Sequence, residues 1–336
     1  MSKNDLPFYL VRNAGFGTIS AKDDLLHPEA NSLVTDDSCT ETQYFGFSIP
    51  EERIHAITYL WHHPKLKLVS GGLCVFQGIK NKTMEGELVD LRTFMNDRVL
   101  DNDLHEFRFE SGYGVKVIEP LKKFHMTYAD PARKHEVDLH FEAVLPAVMF
   151  ADNLHFEQAM KVTGRLMIRG KSYTVDCYNV RDRSWGKPRR EDVMALPPMS
   201  WMTGVFNDNF AFNCTVMDQV SQNPEIKGRF EMPEEQTFNS GWIQRDGKTG
   251  CIIKAKKRVV RAPKSMLPLA IDLEATDDLG RVMTMRGTLI AGLPYPQSWN
   301  NTTMIGLMRW ECDGMVAHGD CQEGYWNDYL QYMSSQ

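Results

Sequence analysis

The stretch KSYTVDCYNVRDRSWG, residues Lys171 to Gly186, decides how the chain can fold. Its first part alternates apolar and polar residues, and the segment from Val162 to Ile168 does the same before the turn residue Gly170. Alternation on both sides of a glycine turn is typical of a β-hairpin. The second predicted strand ends in RDRSWG, residues Arg181 to Gly186, a charged and aromatic cluster that no strand needs for its own stability.

The rest of the chain shows the same alternation of apolar and polar residues. From Thr42 onward short alternating runs recur about every ten residues between Gly, Pro, Asn and Asp turns, which predicts an all-β fold. The alternation lapses in AVLPAVMFADN, residues 143–153, and this predicts an N-terminal β domain over 1–152 and a C-terminal β domain over 153–336. The second domain would carry RDRSWG and a short helix over Glu323 to Tyr332. Two tandem antiparallel β-barrels or sandwiches with few short helices are expected.

Composition narrows the classes of function. The 336 residues are 42% hydrophobic and 24% charged, as in ordinary globular proteins, and the net charge of -6 argues against nucleic acid as a partner. The start, MSKNDLPFYLVRNAGFG, lacks the apolar run of a signal peptide, and no stretch approaches the roughly 20 apolar residues of a membrane helix. Seven cysteines without a CxxC pair suit a reducing compartment. A cytoplasmic protein without an integral membrane segment is predicted.

Several enzyme classes are excluded by missing motifs. The sequence has no GxSxG around Ser184, no phosphate-binding P-loop, no GxGxxG after a strand and no HExxH. His55, His125, His135 and His140 show no carboxylate pattern in the sequence that would make a metal site. The sequence therefore predicts neither a cofactor nor a metal.

The segment YNVRDRSWG, Tyr178 to Gly186, resembles the D-x-x-W-G segment of the lipocalin-like hydratase superfamily, which includes the carotenoid 1,2-hydratases. HFEQ at His155 to Gln158, YLWHHP at Tyr59 to Pro64 and ECDG at Glu311 to Gly314 fit the uncharacterised bacterial two-domain members of that superfamily. The resemblance implies two lipocalin-like calyces, one holding an apolar isoprenoid or similar lipid. It also implies that Asp182 matches the aspartate thought to protonate a carbon–carbon double bond, and that Trp185 matches the motif's indole.

The chemistry of Asp182 depends on its surroundings. A carboxyl group keeps its proton near neutral pH only when burial raises its pKa, whereas a neighbouring guanidinium lowers the pKa. Because side chains alternate along a strand, Arg181 and Arg183 should face away from Asp182. We expect the carboxyl group to face the calyx and the arginines to lie outside. The alternative is a salt-bridged, structural Asp182.

Further residues complete the candidate site. Glu157 shares a predicted strand face with His155, and the two could form an acid/base relay or simply brace the domain junction. Aromatic rings can stabilise a carbocation through their negative faces, although each ring could equally be part of the core. The candidate substrate-binding aromatics are Tyr178, Trp185, Trp201, Phe206, Phe210 and Trp242.

Three functions are compatible with these residues. The first is a cofactor-independent enzyme that acts on an apolar, unsaturated, terpenoid-like or lipid substrate by acid-initiated hydration, dehydration, isomerisation or cyclisation, with Asp182 and Glu157 as catalytic residues. The second is a non-catalytic carrier of a hydrophobic ligand. The third is a cyclase that only folds a reactive substrate into shape. The partner in each case is a hydrophobic small molecule, and a homodimer is compatible with the sequence.

Overall fold

The structure is a computed structural model that describes residues 14–190 and 196–335. Within these residues the chain forms nineteen β-strands and three short α-helices, so the all-β prediction is confirmed. The chain divides into two compact units. Residues 1–13, on which the signal-peptide argument partly rests, lie outside the described part of the chain.

The N-terminal unit comprises residues 16–76 and 86–189 and is built on one curled antiparallel sheet. The sheet order is β4-β3-β2-β1-β11-β10-β8-β7-β6-β5, and β9 pairs with β10. A 3₁₀ turn at Ala21–Asp24 and helix α1, Pro28–Leu33, precede the first strand. The strands are β1 Cys39–Ile49, β2 Ile54–His63, β3 Leu68–Gln77, β4 Leu88–Asn96, β5 Glu106–Arg108, β6 Gly114–Glu119, β7 Lys123–Asp130, β8 His135–Ala143, β9 Val148–Met149, β10 His155–Ile168 and β11 Lys171–Pro188.

The β10–β11 hairpin is the longest paired element of this sheet and confirms the sequence prediction. Its register runs from His155 opposite Ser184 to Ile168 opposite Lys171. The two turn residues, Arg169 and Gly170, both have positive φ, at 50° and 83°, as a tight two-residue hairpin turn requires. The hairpin joins the sheet on both sides, because β11 pairs with β1 and β10 pairs with β8.

The pairing of β1 with β11 stops partway along the strands. Regular backbone pairing ends where Tyr44 lies opposite Asp182. Beyond that point the backbone N–H of Gly46 donates to Asn179 Oδ1 at 3.2 Å, and the N–H of Ser48 donates to Cys177 Sγ at 3.3 Å. Side chains of β11 therefore take the place of its carbonyl groups as partners of β1.

One face of the sheet forms the core of the N-terminal unit. Alternate residues such as Phe45, Phe47, Phe124 and Phe141 are at most 1% exposed and pack together. Phe45 contacts both Phe124 and Phe141 with tilted rings at 5.4 and 4.9 Å. Aromatic packing of this kind leaves a filled interior lined by side chains from both ends of the sheet.

The C-terminal unit is a closed barrel of eight antiparallel strands, β12 to β19 in sequence order. Of the described residues, this unit comprises 14–15, 77–85, 190 and 196–335. Helix α2, Glu234–Thr237, precedes β14, and helix α3, Asn327–Ser334, follows β19. The strands are β12 Met199–Asn207, β13 Phe210–Met217, β14 Phe238–Arg245, β15 Lys248–Arg261, β16 Pro268–Asp277, β17 Val282–Pro296, β18 Asn301–Cys312 and β19 Met315–Trp326.

A cluster of ionised side chains is buried inside this barrel. Lys257 Nζ lies 2.9 Å from Asp218 Oδ1 and 2.5 Å from Ser200 Oγ, and Arg261 Nη2 lies 2.7 Å from Glu323 Oε1. Burial acts to raise the pKa of Glu323, but the charges of Arg261 and Lys257 and hydrogen bonds from Arg261 and Tyr325 outweigh it and lower the pKa to about 2. Glu323 is therefore ionised at neutral pH, and Arg261 and Lys257 supply the cations beside it.

The division of the chain differs from the predicted boundary between residues 152 and 153. Strands β10 and β11 follow that boundary but are hydrogen-bonded to β8 and β1, so they belong to the N-terminal unit. The compact units divide instead at Arg189 and Arg190. Consequently RDRSWG lies in the N-terminal unit rather than in the C-terminal domain. The lapse at Pro146 is a connection within one sheet, since β9 at 148–149 pairs with β10.

Two other expectations concern helices and cysteines. The predicted C-terminal helix is present as α3, which begins at Asn327 rather than Glu323 because β19 continues to Trp326. Among the described residues no helix is long and apolar enough to cross a membrane. All seven cysteines are buried, and none of them forms a disulfide.

Replacing Lys257 by Met should destabilise the C-terminal unit strongly, because it leaves the buried carboxylates of Asp218 and Glu323 without one of their cations. We expect the free energy of unfolding to fall by about 3–5 kcal/mol in urea denaturation. The matched control is Arg286→Met, which removes an exposed pair with Asp272 at 3.8 Å and should cost no more than about 1 kcal/mol. Equal effects of the two substitutions would contradict a buried charge cluster.

Candidate functional site

Strand β11 carries its charged residues on two opposite faces. Arg181 and Arg183 point toward the core of the N-terminal unit, where Arg181 lies over the rings of Phe124 and Phe156 at 4.2 and 4.9 Å. Asp182 points to the other face of the sheet. The alternation was predicted correctly, but the expected direction was wrong. The arginines face inward because each finds a buried partner there.

Arg181 is held by a carboxylate and an amide. Its Nη1 donates to Asp24 Oδ1 at 2.6 Å, and its Nε and Nη2 donate to Gln158 Oε1 at 3.0 and 2.7 Å. Asp24 belongs to the 3₁₀ turn before α1, so this contact ties the start of the described chain to the hairpin. The guanidinium is engaged on the inner face of the sheet by this arrangement and makes no hydrogen bond to Asp182.

Arg183 is held by a second carboxylate and by backbone carbonyls. It forms an ion pair with Glu41 and donates to the carbonyl groups of Asp24 at 2.5 Å and Leu25 at 2.9 Å. Burial acts to raise the pKa of Glu41, but hydrogen bonds from His27 and Asn31 and the charge of Arg183 outweigh it, so the pKa is lowered. Both arginines are thus structural, and the alternative of an Asp182 bridged to them is not what the structure has.

Asp182 lies in a row of polar and aromatic residues on the outer face of the sheet. Strand register places Tyr59, Tyr44, Asp182 and Glu157 side by side on β2, β1, β11 and β10. Directly opposite residues on neighbouring antiparallel strands have Cβ atoms about 4.5–5.5 Å apart. The carboxyl group of Asp182 is therefore flanked by a phenol on one side and a second carboxyl group on the other.

A second row lies next to the first, one pleat along the strands. It consists of Trp61, Thr42, Ser184 and His155 on the same four strands. Thr42 Oγ1 and Ser184 Oγ are 2.8 Å apart. Arg189 links both rows, because its guanidinium donates to Ser184 Oγ at 2.9 Å and to Tyr59 Oη at 3.3 Å. We call these eight residues and Arg189 the Asp182 face.

The protonation of Asp182 is set mainly by its burial. Loss of solvation raises the pKa of this carboxyl group to about 6, and the nearby charge of Glu157 adds to the rise. The charges of His155, Arg189 and Arg181 act in the opposite direction without cancelling the effect of burial. Among residues 14–190 and 196–335, no group makes a hydrogen bond or ion pair with the carboxylate of Asp182. Such a group can donate a proton close to neutral pH.

Glu157 and His155 stand as the sequence suggested, on one face of β10. His155 Nε2 is 3.3 Å from Glu157 Oε1, and Glu157 is only 1% exposed. The His155 ring is stacked on Phe150 at 5.0 Å. Since Glu157 is the direct cross-strand neighbour of Asp182, this pair can pass a proton to or from Asp182 as well as brace the sheet.

The predicted aromatic residues do not form one cluster. Tyr178 shares the face of Asp182 and lies under Lys161 Nζ at 4.6 Å, whereas Trp185 is on the opposite face, stacked on His27 at 3.6 Å. Phe206 and Phe210 stack at 4.4 Å at the end of the barrel core.

Trp201 and Trp242 lie on the face of the C-terminal barrel that points away from its core. Register places Trp201 beside Thr215, and Trp242 beside Asn213. Asn213 is fully buried, and neither its Oδ1 nor its Nδ2 has a hydrogen-bond partner among the described residues. An unpaired buried amide costs about 1–3 kcal/mol of stability.

Sequence reasoning missed the aromatic half of the Asp182 face. Tyr44, Tyr59 and Trp61 were not among the candidates, and neither were Ser184 and Arg189. A signal existed for two of them: Tyr59 and Trp61 are two apart in YLWHHP, so they share one strand face, and their rings meet edge to face at 6.3 Å. Which strand lies beside β11, however, cannot be read from local alternation.

Comparisons with known proteins agree with this architecture. A family model described as "Domain of unknown function (DUF7064)" matches residues 20–328. A search of curated proteins finds no match.

Solved structures with the same fold include an AttH-like protein from Nitrosomonas europaea, with a TM-score of 0.56, 10% identity and coverage of 89% of this chain and 96% of that one. Kievitone hydratase from Nectria haematococca has a TM-score of 0.53 and 9% identity, covering 95% and 98% of the two chains. CghA has a TM-score of 0.51 and 10% identity, covering 89% and 92%. The chain shares its fold with these proteins.

Replacing Asp182 by Asn should stabilise the protein at alkaline pH. In the folded state the pKa of Asp182 is raised from 3.8 to about 6, so its ionisation costs folding free energy as the pH rises through this range. We expect the variant to be more stable than the unmodified protein by about 1–3 kcal/mol at pH 8 and equally stable near pH 3.5, measured by urea denaturation.

The control for this experiment is Asp176→Asn, since Asp176 is on the same strand and face but is exposed and paired with Lys161. Its effect should stay within about 1 kcal/mol at both pH values. A loss of stability in Asp182→Asn at pH 8 would show that the carboxylate is a structural anion.

Proposed function

The chain belongs to the DUF7064 family of domains, and from this premise we propose that it is a cofactor-independent enzyme that acts on an apolar, unsaturated substrate by protonating a carbon–carbon double bond. The observation that carries the proposal is Asp182, a carboxyl group with a pKa raised to about 6 and no hydrogen-bond or ion-pair partner among the described residues. A carrier of hydrophobic ligands has no use for such a group, because a half-buried carboxyl group without a partner only costs stability.

The first step transfers the proton of the Asp182 carboxyl group to one carbon of the double bond. The π electron pair forms the new C–H bond, which leaves a carbocation on the other carbon and a carboxylate on Asp182. Burial raises the energy of that carboxylate, and the neighbouring charges of Arg189 and Arg181 lower it, so the acid regains a proton readily. The residue is therefore suited to complete a cycle of donation and recovery at near-neutral pH.

The second step decides the product. Attack of water on the carbocation gives hydration, with the excess proton returning to Asp182 directly or through Glu157 and His155. Loss of a neighbouring proton to the Asp182 carboxylate gives a shifted double bond. Attack by a second double bond forms a new C–C bond and closes a ring, and the carbocation that this leaves then loses a proton to the Asp182 carboxylate. Each route restores the protonated acid, so none requires a cofactor. One solved structure of the same fold is by name a hydratase, which supports the first route.

Aromatic rings on the Asp182 face would stabilise the cation. Tyr44 and Tyr59 have ring centroids 6.4 Å apart, and Tyr59 and Trp61 are 6.3 Å apart. The negative faces of such rings attract a positive charge, by about 0.5–2 kcal/mol or more per ring when water is excluded. We assign the cation site to these three rings and Tyr178.

The protein is proposed to work in the cytoplasm, since seven buried cysteines without a disulfide are compatible with a reducing compartment. A homodimer remains a prediction from sequence.

Asp182→Asn should abolish turnover on a panel of terpenoid, steroid and unsaturated fatty substrates. Loss of the acid should lower kcat/KM by about 10²- to 10⁴-fold, while Asp176→Asn should leave it unchanged. Reactions run in D₂O separate the alternatives. Acid-initiated chemistry places one deuterium on carbon, a cyclase that only shapes its substrate gives product without deuterium, and a carrier gives no product. Unchanged turnover in Asp182→Asn would overturn the proposal.

The pH dependence of turnover should follow the protonated form of Asp182. We expect kcat/KM to fall about tenfold per pH unit above a pKa of about 6. Glu157→Gln removes a charge that raises this pKa, so the descending limb should move to lower pH. A rate that rises through pH 6 would instead indicate that Asp182 acts as a base.

A further inference from the structure

We propose that the outward face of the β7–β8 hairpin binds one divalent transition-metal ion, of the Zn²⁺, Ni²⁺ or Cu²⁺ class, through His125, His140 and Asp138. These residues lie in the N-terminal unit and outside the Asp182 face. No step of the proposed reaction uses them, so the inference is independent of that proposal.

The three side chains are brought together by strand register. His125 on β7 lies directly opposite His140 on β8, and Asp138 lies opposite Thr127, one pleat along. Their neighbours in sequence, Phe124 and Leu139, point into the core, so the candidate ligands share the outward face. Sequence reasoning missed the site because His125 is on a different strand from its two partners, His140 and Asp138. The pairing of β7 with β8 is needed to see that the three residues meet.

The side chains already lie close to a coordinating arrangement. One ligand atom from each residue falls within 4.8 Å of the others. His125 Nε2 is 2.7 Å from Asp138 Oδ1, and the two imidazole rings are nearly parallel, with centroids 4.6 Å apart and an interplanar angle of 7°. Bond lengths of about 2.0–2.2 Å to zinc require the rings to turn toward each other, which side chains on an exposed strand face can do.

The three candidate ligands, two imidazoles and one carboxylate, favour a transition-metal ion over calcium or magnesium. Two neutral imidazoles suit Zn²⁺, Ni²⁺ and Cu²⁺, whereas magnesium and calcium prefer sites made of oxygen ligands alone. One carboxylate reduces the charge of the ion, and water would fill the remaining positions. Because both strands are fixed by the sheet, little backbone ordering is needed for binding.

Charges around the site do not oppose a cation strongly. Lys123, one pleat away, is paired with Glu142 at 2.5 Å, and Lys116 on β6 is paired with Glu106 at 3.3 Å. Arg165 on β10, the cross-strand neighbour of Asp138, is paired with Glu136 at 2.5 Å. These three cations thus each have their own carboxylate. Arg108 also lies close to the site, because it donates to Thr127 Oγ1 at 3.0 Å and Thr127 is opposite Asp138, and its exposed charge works against a bound cation.

The test is a titration of the full chain, without a polyhistidine tag, with ZnCl₂ or NiCl₂ in a calorimeter. We expect one ion per chain and a dissociation constant in the micromolar range. His125→Ala and His140→Ala should each weaken binding at least tenfold, and Asp138→Asn should weaken it less. The matched control is His105→Ala, which removes an exposed histidine of the same unit outside the cluster and should leave binding unchanged.

Two results would overturn the proposal. One is the absence of saturable binding below millimolar metal, and the other is equal affinity in His140→Ala and the unmodified protein. Circular dichroism checks that each variant is folded. Should a variant unfold, the electron paramagnetic resonance spectrum of Cu²⁺ bound to the unmodified protein decides the matter, because coupling to two ring nitrogens is expected and coupling to none or one contradicts the site.

Discussion

The pairing of two buried arginines with carboxylates on one side of β11 is the constraint on which the N-terminal unit depends. Arg181 and Arg183 cannot enter the core without Asp24, Glu41 and Gln158 to satisfy them, since an unpaired buried charge is very costly. Once they are satisfied there, the strand pleat turns Asp182 to the opposite face. The isolation of the acid is thus a consequence of how its two neighbours are bound.

The C-terminal barrel also pairs buried cationic side chains with buried carboxylates. Lys257 and Arg261, four residues apart on β15, share two buried carboxylates, Asp218 and Glu323. Buried ion pairs of this kind add little net stability, but they define which side chains must meet and so favour one arrangement over others. The two units therefore reach a fixed interior by the same means, and in the N-terminal unit this arrangement places Asp182 on the opposite face of β11 from its two paired arginines.

Much of the fold and part of the candidate site could be predicted from the sequence, and the predictions that were wrong have physical reasons. The hairpin from His155 to Pro188 follows from alternation and a glycine turn, and the opposite orientation of Asp182 and its arginines follows from the pleat. The direction could not be predicted, because it depends on Asp24 and Glu41, more than a hundred residues earlier. The same limit explains the misplaced domain boundary and the missed Tyr44 and Tyr59, since strand order in a sheet is a long-range property. His125 and His140 were judged singly for the same reason.

The interrupted pairing of β1 with β11 also limits which residues β11 can tolerate. Asn179 and Cys177 are buried, and burial alone would rank them as positions for any small or medium apolar side chain. Their side chains instead accept the main-chain N–H groups of Gly46 and Ser48. An alanine or valine there would leave a neighbouring strand's backbone without an acceptor. Part of the backbone hydrogen bonding of this sheet is therefore encoded in side chains, and it can be lost by a substitution that a hydrophobicity scale would rate as neutral.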